Sequence, residues 1–459
     1  MGPKAIDLFA GAGGLSLGLS LSGIEVVGAV EWDKHAVESY RYNIGDHIYC
    51  EDINEFTPDK LHNELNKRNS IKSKKEIDII CGGPPCPGFS LIGRSKISNL
   101  IKTGQWEGSD YRHKFIDDKR NKLFLEFVRY VAYFDPKLFV MENVAGMESF
   151  QSSGGAPIID IICKEFEAIG YKVKVKVLNS ASFGVPQSRK RILFFGTRMK
   201  KQFLHPNGYN WKLNIEDAFS DLPEVNPLNG ISMSDQLKLM SKISGKRRKK
   251  LLSWFRVQKT PIIRKRNSRT CSLHKTRKVN PRDQAIFPLL SSGQFSARVL
   301  YKHVFPDMLK QVKKLLPKGY KMLPKSKGNV IASIDPDKKQ TWKWYDSSKF
   351  GDKMRRMRLD EPGPTVVAHL AKDGYMFVHP IEDRTITVRE AARMQSFPDS
   401  FDFSAGGTVA FTHQMRQVGN AVPPLLGIAL GEIILAYLKE EINLSLEEVF
   451  GEDFPNQAD

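Results

Sequence analysis

The stretch Cys81-Gly82-Gly83-Pro84-Pro85-Cys86-Pro87-Gly88-Phe89-Ser90 constrains this chain more than any other. It follows an apolar run, residues 77–80, that reads as a buried strand. Three prolines and three glycines then oppose both helix and strand, so a stiff loop is expected from Cys81 onward. Cys86 stands between Pro85 and Pro87 and has little conformational freedom. In open α/β sheets, chemistry gathers outside the carboxyl ends of the strands. A rigid thiol there is a candidate nucleophile, and a packed structural cysteine in a proline-rich turn is the alternative.

The N-terminal residues fit the same architecture. Residues 5–9 form a short apolar strand, followed by Ala10-Gly11-Ala12-Gly13-Gly14 and a helix-like stretch over 15–21. Strand, glycine turn and helix open a nucleotide-binding βαβ unit. A dinucleotide fingerprint would place a third glycine or alanine at position 16, where this chain has Ser16, which argues against NAD. The next strand, 24–30, ends in Glu31-Trp32-Asp33, and an acidic residue at that distance suits ribose hydroxyls. A further acidic strand end follows at Glu51-Asp52.

Residues 91–122 are too long and polar for an ordinary connection and read as a mobile active-site loop. A helix is expected over 121–134, then a strand over 138–141 delivering Glu142-Asn143-Val144 to the edge that carries Cys86. Alone, a glutamate at position 142 is a helix cap or a surface acid more often than a catalyst. Residues 158–169 read as a helix stopped by Gly170. Val173, Val175 and Val177 alternate with Lys172, Lys174 and Lys176, a half-buried strand with a basic outer face. Arg189 and Arg191 enter the next strand at alternate positions and so share a side. The βα rhythm fails from about 203 to 376. It resumes at Thr387-Val388-Arg389-Glu390, a capping box, and ends with an apolar helix behind Pro423-Pro424 that runs to about Leu438.

Charge adds a partner. The net charge is +19, and between Asp235 and Asp283 there are 17 Lys or Arg with no Asp or Glu. That concentration suggests a polyanion, nucleic acid first, with a solvated basic face as the alternative. The apolar residues within it, Leu251, Leu252, Trp254, Phe255, Ile262 and Ile263, could anchor a fold. Five widely spaced cysteines make neither a disulfide framework nor a zinc site. The N-terminus lacks a signal-peptide core and no apolar run reaches membrane-spanning length, so a cytoplasmic location without membrane is expected.

These blocks, in this order, resemble the DNA cytosine-5 methyltransferases of bacterial restriction-modification systems. The residues that carry the resemblance are Asp7-Leu8-Phe9-Ala10-Gly11-Ala12-Gly13-Gly14, Gly83-Pro84-Pro85-Cys86, Glu142-Asn143-Val144, Gln187-x-Arg189-x-Arg191, Arg389 to Pro398, and Gly419-Asn420-Ala421-Val422. The resemblance covers roughly residues 4–200 and 355–440. It implies an α/β fold: a class I S-adenosylmethionine-dependent methyltransferase, Rossmann-like, with a final antiparallel hairpin and an inserted, irregular target-recognition domain. The expected division is residues 1–202 and 377–459 for the catalytic domain and 203–376 for recognition.

The resemblance also implies roles. Cys86 is the nucleophile that adds to C6 of cytosine. Glu142 hydrogen-bonds N3 and the exocyclic amine. Arg189 and Arg191 lie near O2 and the nucleophile. S-adenosylmethionine, leaving as S-adenosylhomocysteine, is bound by Phe9, Ala10, Gly11, Gly13, Gly14, Leu15, Glu31, Trp32, Asp52, Ile53, Pro84, Asn420 and Val422, with no metal. The partner is double-stranded DNA from which the target cytosine is flipped. A monomer suffices, held at the nucleoid through DNA, with a cognate restriction endonuclease acting on the same sequence without a physical complex. Pro87-Gly88 departs from the glutamine that many relatives carry after the cysteine. Competing readings are the tRNA-methylating branch, which has a smaller recognition region, an NAD-dependent oxidoreductase, and a catalytically silent DNA-binding relative.

Overall fold

The computed structural model describes residues 2–85, 123–151, 155–200, 207–225, 244–256, 272–277, 287–290, 321–327, 330–333, 341–343 and 355–439, with the three short segments at 321–343 described as backbone. Cys86, the expected loop at 91–122 and the residues after 439 lie outside the described residues.

Seven strands form one sheet. In chain order they alternate with helices: β1 Lys4–Leu8, α1 Gly14–Leu21, β2 Glu25–Glu31, α2 Lys34–Asn43, β3 Ile48–Cys50, α3 Pro58–Lys67, β4 Ile77–Gly82, α4 Leu123–Phe134, β5 Leu138–Val144, α5 Ile158–Ala168, β6 Lys172–Asn179 and β7 Lys190–Thr197. The spatial order is β3-β2-β1-β4-β5-β7-β6. β1 to β5 pair in parallel, whereas β7 runs antiparallel to both β5 and β6. The chain builds outward from β1 to β3, then returns to place β4 on the other side of β1. That reversal opens a crevice beyond the carboxyl ends of β1 and β4.

The sheet is buried on both faces. Ile6, Leu8, Ile80, Phe139, Met141 and Phe194 face the apolar sides of α4 and α5. Ala5, Ile79, Val140, Leu193 and Phe195 face Leu15 and Leu19 of α1 and a late apolar helix. Alternation along each strand therefore fixes which residues reach which layer. The helix starts are capped as the residue types require. Asp33 accepts from His35 N–H at α2, and Thr57 caps α3 with Pro58 in its first turn.

The expected loop at Cys81 begins two residues later than the composition suggests. Cys81 and Gly82 are the last residues of β4, paired with Asp7 and Leu8 on one side and with Val140 and Met141 on the other. Flanking strands on both sides override the weak β propensity of glycine. Gly82 has φ +154°, and a Cβ there would lie 2.0 Å from the Leu8 carbonyl oxygen, so only glycine fits.

The other described elements are α6 Ile215–Phe219, α7 Lys246–Phe255, three short antiparallel strands (β8 Lys321–Lys327, β9 Val330–Ser333, β10 Thr341–Lys343), α8 Leu370–Asp373, α9 Val388–Met394, α10 Phe411–Asn420 and α11 Pro424–Leu438, and α6 to α10 share a second core. α7 is basic in its first half, Lys246 to Lys250, and apolar in its second. Its Leu251, Leu252, Trp254 and Phe255 are buried among Phe377, Ile386, Ala392 and Phe397. Four fully buried arginines hold this region together. Arg393 pairs with Asp221 and Asp399, Arg384 with Glu390 at 2.7 Å and Glu382 at 2.8 Å, and Arg189 and Arg389 bond mainly to backbone carbonyls. α11 returns to lie on α1. A Cβ on Gly14 would sit 2.1 Å from the Val422 carbonyl oxygen, so the turn before α11 touches the first helix of the chain.

Candidate active site

Two groups of residues meet at the carboxyl ends of the parallel strands. Leu8, Gly82 and Met141 are register partners across β1, β4 and β5, so the segments leaving β1 and β4 start side by side next to Glu142.

The first group surrounds Glu142. Its Oε1 pairs with Arg191 Nε at 2.8 Å, and both side chains keep 14% of their surface open. A Cβ on Gly83 would lie 3.3 Å from Glu142 Oε2, so the carboxylate faces the segment Gly83–Pro85. The adjacent Asn143 is buried, and its Nδ2 donates to the Pro84 carbonyl at 3.0 Å. That bond fixes the backbone two residues before Cys86. Charge, partner and remaining openness suit Glu142 to hold a polar ligand group while Arg191 orients it.

Arg189 has a different environment from Arg191. It is fully buried, and its Nη1 donates to the carbonyls of Val366 at 3.1 Å and Gly419 at 3.2 Å. Its Nε has no partner among the described residues. Burial, then the charge of Arg191, pushes its pKa below the ordinary arginine value, and Glu142 acts the other way. Arg189 therefore clamps the 366 and 419 backbones beneath the Glu142–Arg191 pair.

The second group is the glycine turn. Phe9 leaves β1 at φ +59°, a position that costs a bulky residue energy, and Gly13 at φ +93° caps α1. Ala10 N–H donates to Val30 O at 3.1 Å. The buried Glu31 carboxylate accepts from Gly11 N–H at 2.9 Å, Trp32 N–H at 2.9 Å and Asp33 N–H at 2.8 Å. Burial raises its pKa, and those N–H bonds oppose the rise. Trp32 beside it is 72% exposed. Leu15 is buried in α1, Ile53 is buried behind Asp52, and Asp52 accepts from Asn54 N–H at 2.9 Å. Asn420 is exposed at the end of α10, and Val422 lies against Gly14.

Beneath the turn is Asp7, fully buried, which accepts from Ser16 Oγ at 2.6 Å. Burial pushes its pKa up to about 7, with the Ser16 bonds opposing and Glu31 adding to the rise. Ser16 is thus explained. The hydroxyl that breaks the dinucleotide pattern serves a carboxyl under the turn.

Sequence reasoning gave no role to Gln187 and Gln395. Gln187 Nε2 donates to Met394 O and to Gln395 Oε1, while its Oε1 accepts from Val366 N–H. Gln395 Nε2 donates to Val418 O and Ala421 O. The pair joins the approach to β7, the 363–366 segment and the Asn420 turn. Neither residue carries charge or periodicity that would mark it in a sequence. The basic cluster in α7 is also partly committed. Arg248 is paired with Glu216 at 2.9 Å and Asp217 at 2.8 Å, and Arg247 lies over the Trp211 ring. Within the basic run, the charge of Arg248 is thus paired inside the fold. Among the described residues, His379, Glu382 and Glu390 have metal-like spacing, but Arg384 already holds both carboxylates.

A model of the C-5 cytosine-specific DNA methylase family matches residues 3–436. The chain is 30% identical over 456 residues to the Type II methyltransferase M.AgeI of Thalassovita gelatinovora, covering 94% of this chain and 99% of that protein. It is 32% identical over 451 residues to the Type II methyltransferase M.DdeI of Desulfomicrobium norvegicum, covering 96% and 90%. Among solved structures it is similar in fold to an E. coli prophage protein described as a DNA modification methyltransferase, with TM-score 0.62, 22% identity and coverage of 95% and 99%. The family match runs from β1 into α11 and so spans the Glu142–Arg191 pair, the glycine turn and the returning helices. This chain belongs to the C-5 cytosine-specific DNA methylase family, as a DNA cytosine-5 methyltransferase.

Proposed function

We propose that this enzyme modifies one cytosine in a short duplex sequence as the methylating half of a type II restriction-modification pair, with Cys86 as nucleophile. The observation that carries the reading is the Glu142–Arg191 pair facing Gly83–Pro85, with Asn143 holding the Pro84 carbonyl.

The crevice fits S-adenosylmethionine by the chemistry of its groups. Trp32 offers an open ring face for a base, Glu31 and Asp52 offer carboxylates for hydroxyl or amine donors, and Gly11 leaves open space where a side chain would stand. Phe9, Ala10, Gly13, Gly14, Leu15, Ile53, Pro84, Asn420 and Val422 complete the wall in this reading. When bound there, it supplies an electrophilic methyl group.

The chain's residues do the rest. Cytosine C5 is a poor nucleophile in the intact ring. Addition of the Cys86 thiolate to C6 leaves an enamine-type carbon at C5 that can take a methyl group. A free thiol ionises near pH ~8.5, so a cationic neighbour such as Arg191 favours the thiolate. Glu142, facing the base, holds N3 and the exocyclic amine as negative charge moves into the ring. Arg189 keeps the 366 and 419 backbones in place behind it. Loss of the C5 proton then expels Cys86 from C6 and restores the ring. The target base must leave the duplex first, because its C6 is unreachable within the stack. The region 203–376 is assigned to sequence recognition. A cognate endonuclease, a monomeric state and a cytoplasmic location complete the proposal.

Conversion mapping of cytosine methylation in DNA from cells expressing the protein tests this reading. Methylation at one cytosine of one short motif is expected, and its loss in Cys86→Ser. Unmodified DNA beside methylated tRNA would overturn it.

A further inference from the structure

Among the described residues β6 is the last strand of the sheet. Val173, Val175 and Val177 pack toward the α4–α5 core, which fixes the rotation of the strand. Lys172, Lys174 and Lys176 therefore share the opposite face, paired across to Thr197, Phe195 and Leu193 of β7. Leu193 is in turn the register partner of Glu142. Lys176, Leu193 and Glu142 thus lie in one row across three strands, about 10 Å from end to end at the usual strand spacing. Arg191 projects from the same face, one side-chain position further along β7. Lys172 is exposed, Lys174 and Lys176 are half-buried, and none of the three has a hydrogen bond or ion pair among the described residues.

Three like charges held side by side, with no counterion among the described residues, repel one another. They repeat every second residue, over roughly 13 Å. One strand of a duplex carries a phosphate every ~3.4 Å along its axis. We infer that the Lys172–Lys174–Lys176 row is a second duplex contact, binding backbone phosphates beyond the modified site without reading bases. This rests on the proposed function, because it takes the row's alignment with Glu142 as its start. Such a contact would position flanking DNA and leave sequence preference unchanged.

The test is salt-dependent binding of the full-length K172Q/K174Q/K176Q variant, read by fluorescence anisotropy on non-target duplexes of about 10 and about 40 base pairs. On the long duplex, the slope of log affinity against log salt should fall by about 2 to 3, at ~0.9 per phosphate released. The short duplex should show little change, and K172R/K174R/K176R should restore the wild-type slope. An unchanged slope on the long duplex overturns the inference. Concentration-dependent aggregation with an unchanged slope also overturns it, and would assign the lysines to guarding an open sheet edge. Binding to non-target duplex needs no catalysis, so failure of the row and failure of the methylation reading are separate results.

Discussion

Replacing Asp7 with asparagine should remove a pH-dependent loss of stability from beneath the glycine turn. The Asp7 carboxyl lies at the end of β1 under the glycine turn, with Ser16 Oγ donating to it at 2.6 Å. Cys81, Glu31 and Tyr40 are its other ionisable neighbours, and burial pushes its pKa up to about 7. In the unfolded chain it would ionise near ~3.9. Between those values the folded protein binds more protons than the unfolded one, so stability falls as pH rises. The Asp7 contribution is complete below about pH 4 and lost as pH passes through 7. Integrated from pH 5 to pH 8, the loss approaches two pKa units, or about 2.6 kcal/mol. Asparagine keeps the shape and an acceptor for Ser16 and does not titrate. The stability difference between Asp7→Asn and wild type should thus shift by about 2.6 kcal/mol toward the variant over that range. Urea unfolding of both proteins at pH 5 and pH 8 measures it, and other titrating groups, Glu390 among them, cancel in the comparison. A difference that stays constant would show Asp7 already ionised at pH 5, and the burial argument would fail.

Other outcomes follow from single contacts. Gly14→Ala forces a Cβ to within 2.1 Å of Val422 O and 2.8 Å of Phe397 Cζ, so calorimetry should show cofactor affinity about tenfold or more weaker. Glu142→Gln loses the charge that the proposed mechanism sets against the base, and single-turnover methylation should slow by about 10²–10⁴-fold. Arg393→Met deprives Asp221 and Asp399 of a buried partner and should cost about 3–5 kcal/mol, read as a lowered Tm. Arg248→Ala should leave the salt dependence of DNA binding unchanged because its charge is already paired, whereas Lys249→Ala should lower the slope by about 0.9.

Much of the catalytic half was legible because its signals are local. The apolar run before Gly83, the valine–lysine alternation of β6 and the glycines after β1 each report a strand or turn by pattern alone. The placement of Glu142 beside Gly83 follows once β4 and β5 are parallel neighbours. What was not legible depends on contacts distant in sequence. Cys81 and Gly82 are strand residues only because β1 and β5 flank them. Arg189 and Arg191 look alike as a pair, yet one is spent on the carbonyls of Val366 and Gly419 and the other on Glu142. The Gln187–Gln395 link and the buried arginines join residues as far as 230 positions apart. No local pattern announces them. Arg248 reads as one cation in a basic run until α6 brings Glu216 and Asp217 against it.

The covalent role of Cys86 is the central claim, and trapping tests it most directly. A duplex carrying 5-fluorocytosine at the mapped target would be incubated with the protein and S-adenosylmethionine. Addition at C6 and methyl transfer can proceed, but fluorine at C5 cannot leave as a proton, so the thiol stays attached. A denaturing gel should show a shifted protein–DNA band, and mass spectrometry should place the adduct on the peptide containing Cys86. No shifted band, with a duplex that the enzyme methylates when cytosine replaces the fluorinated base, would contradict the account.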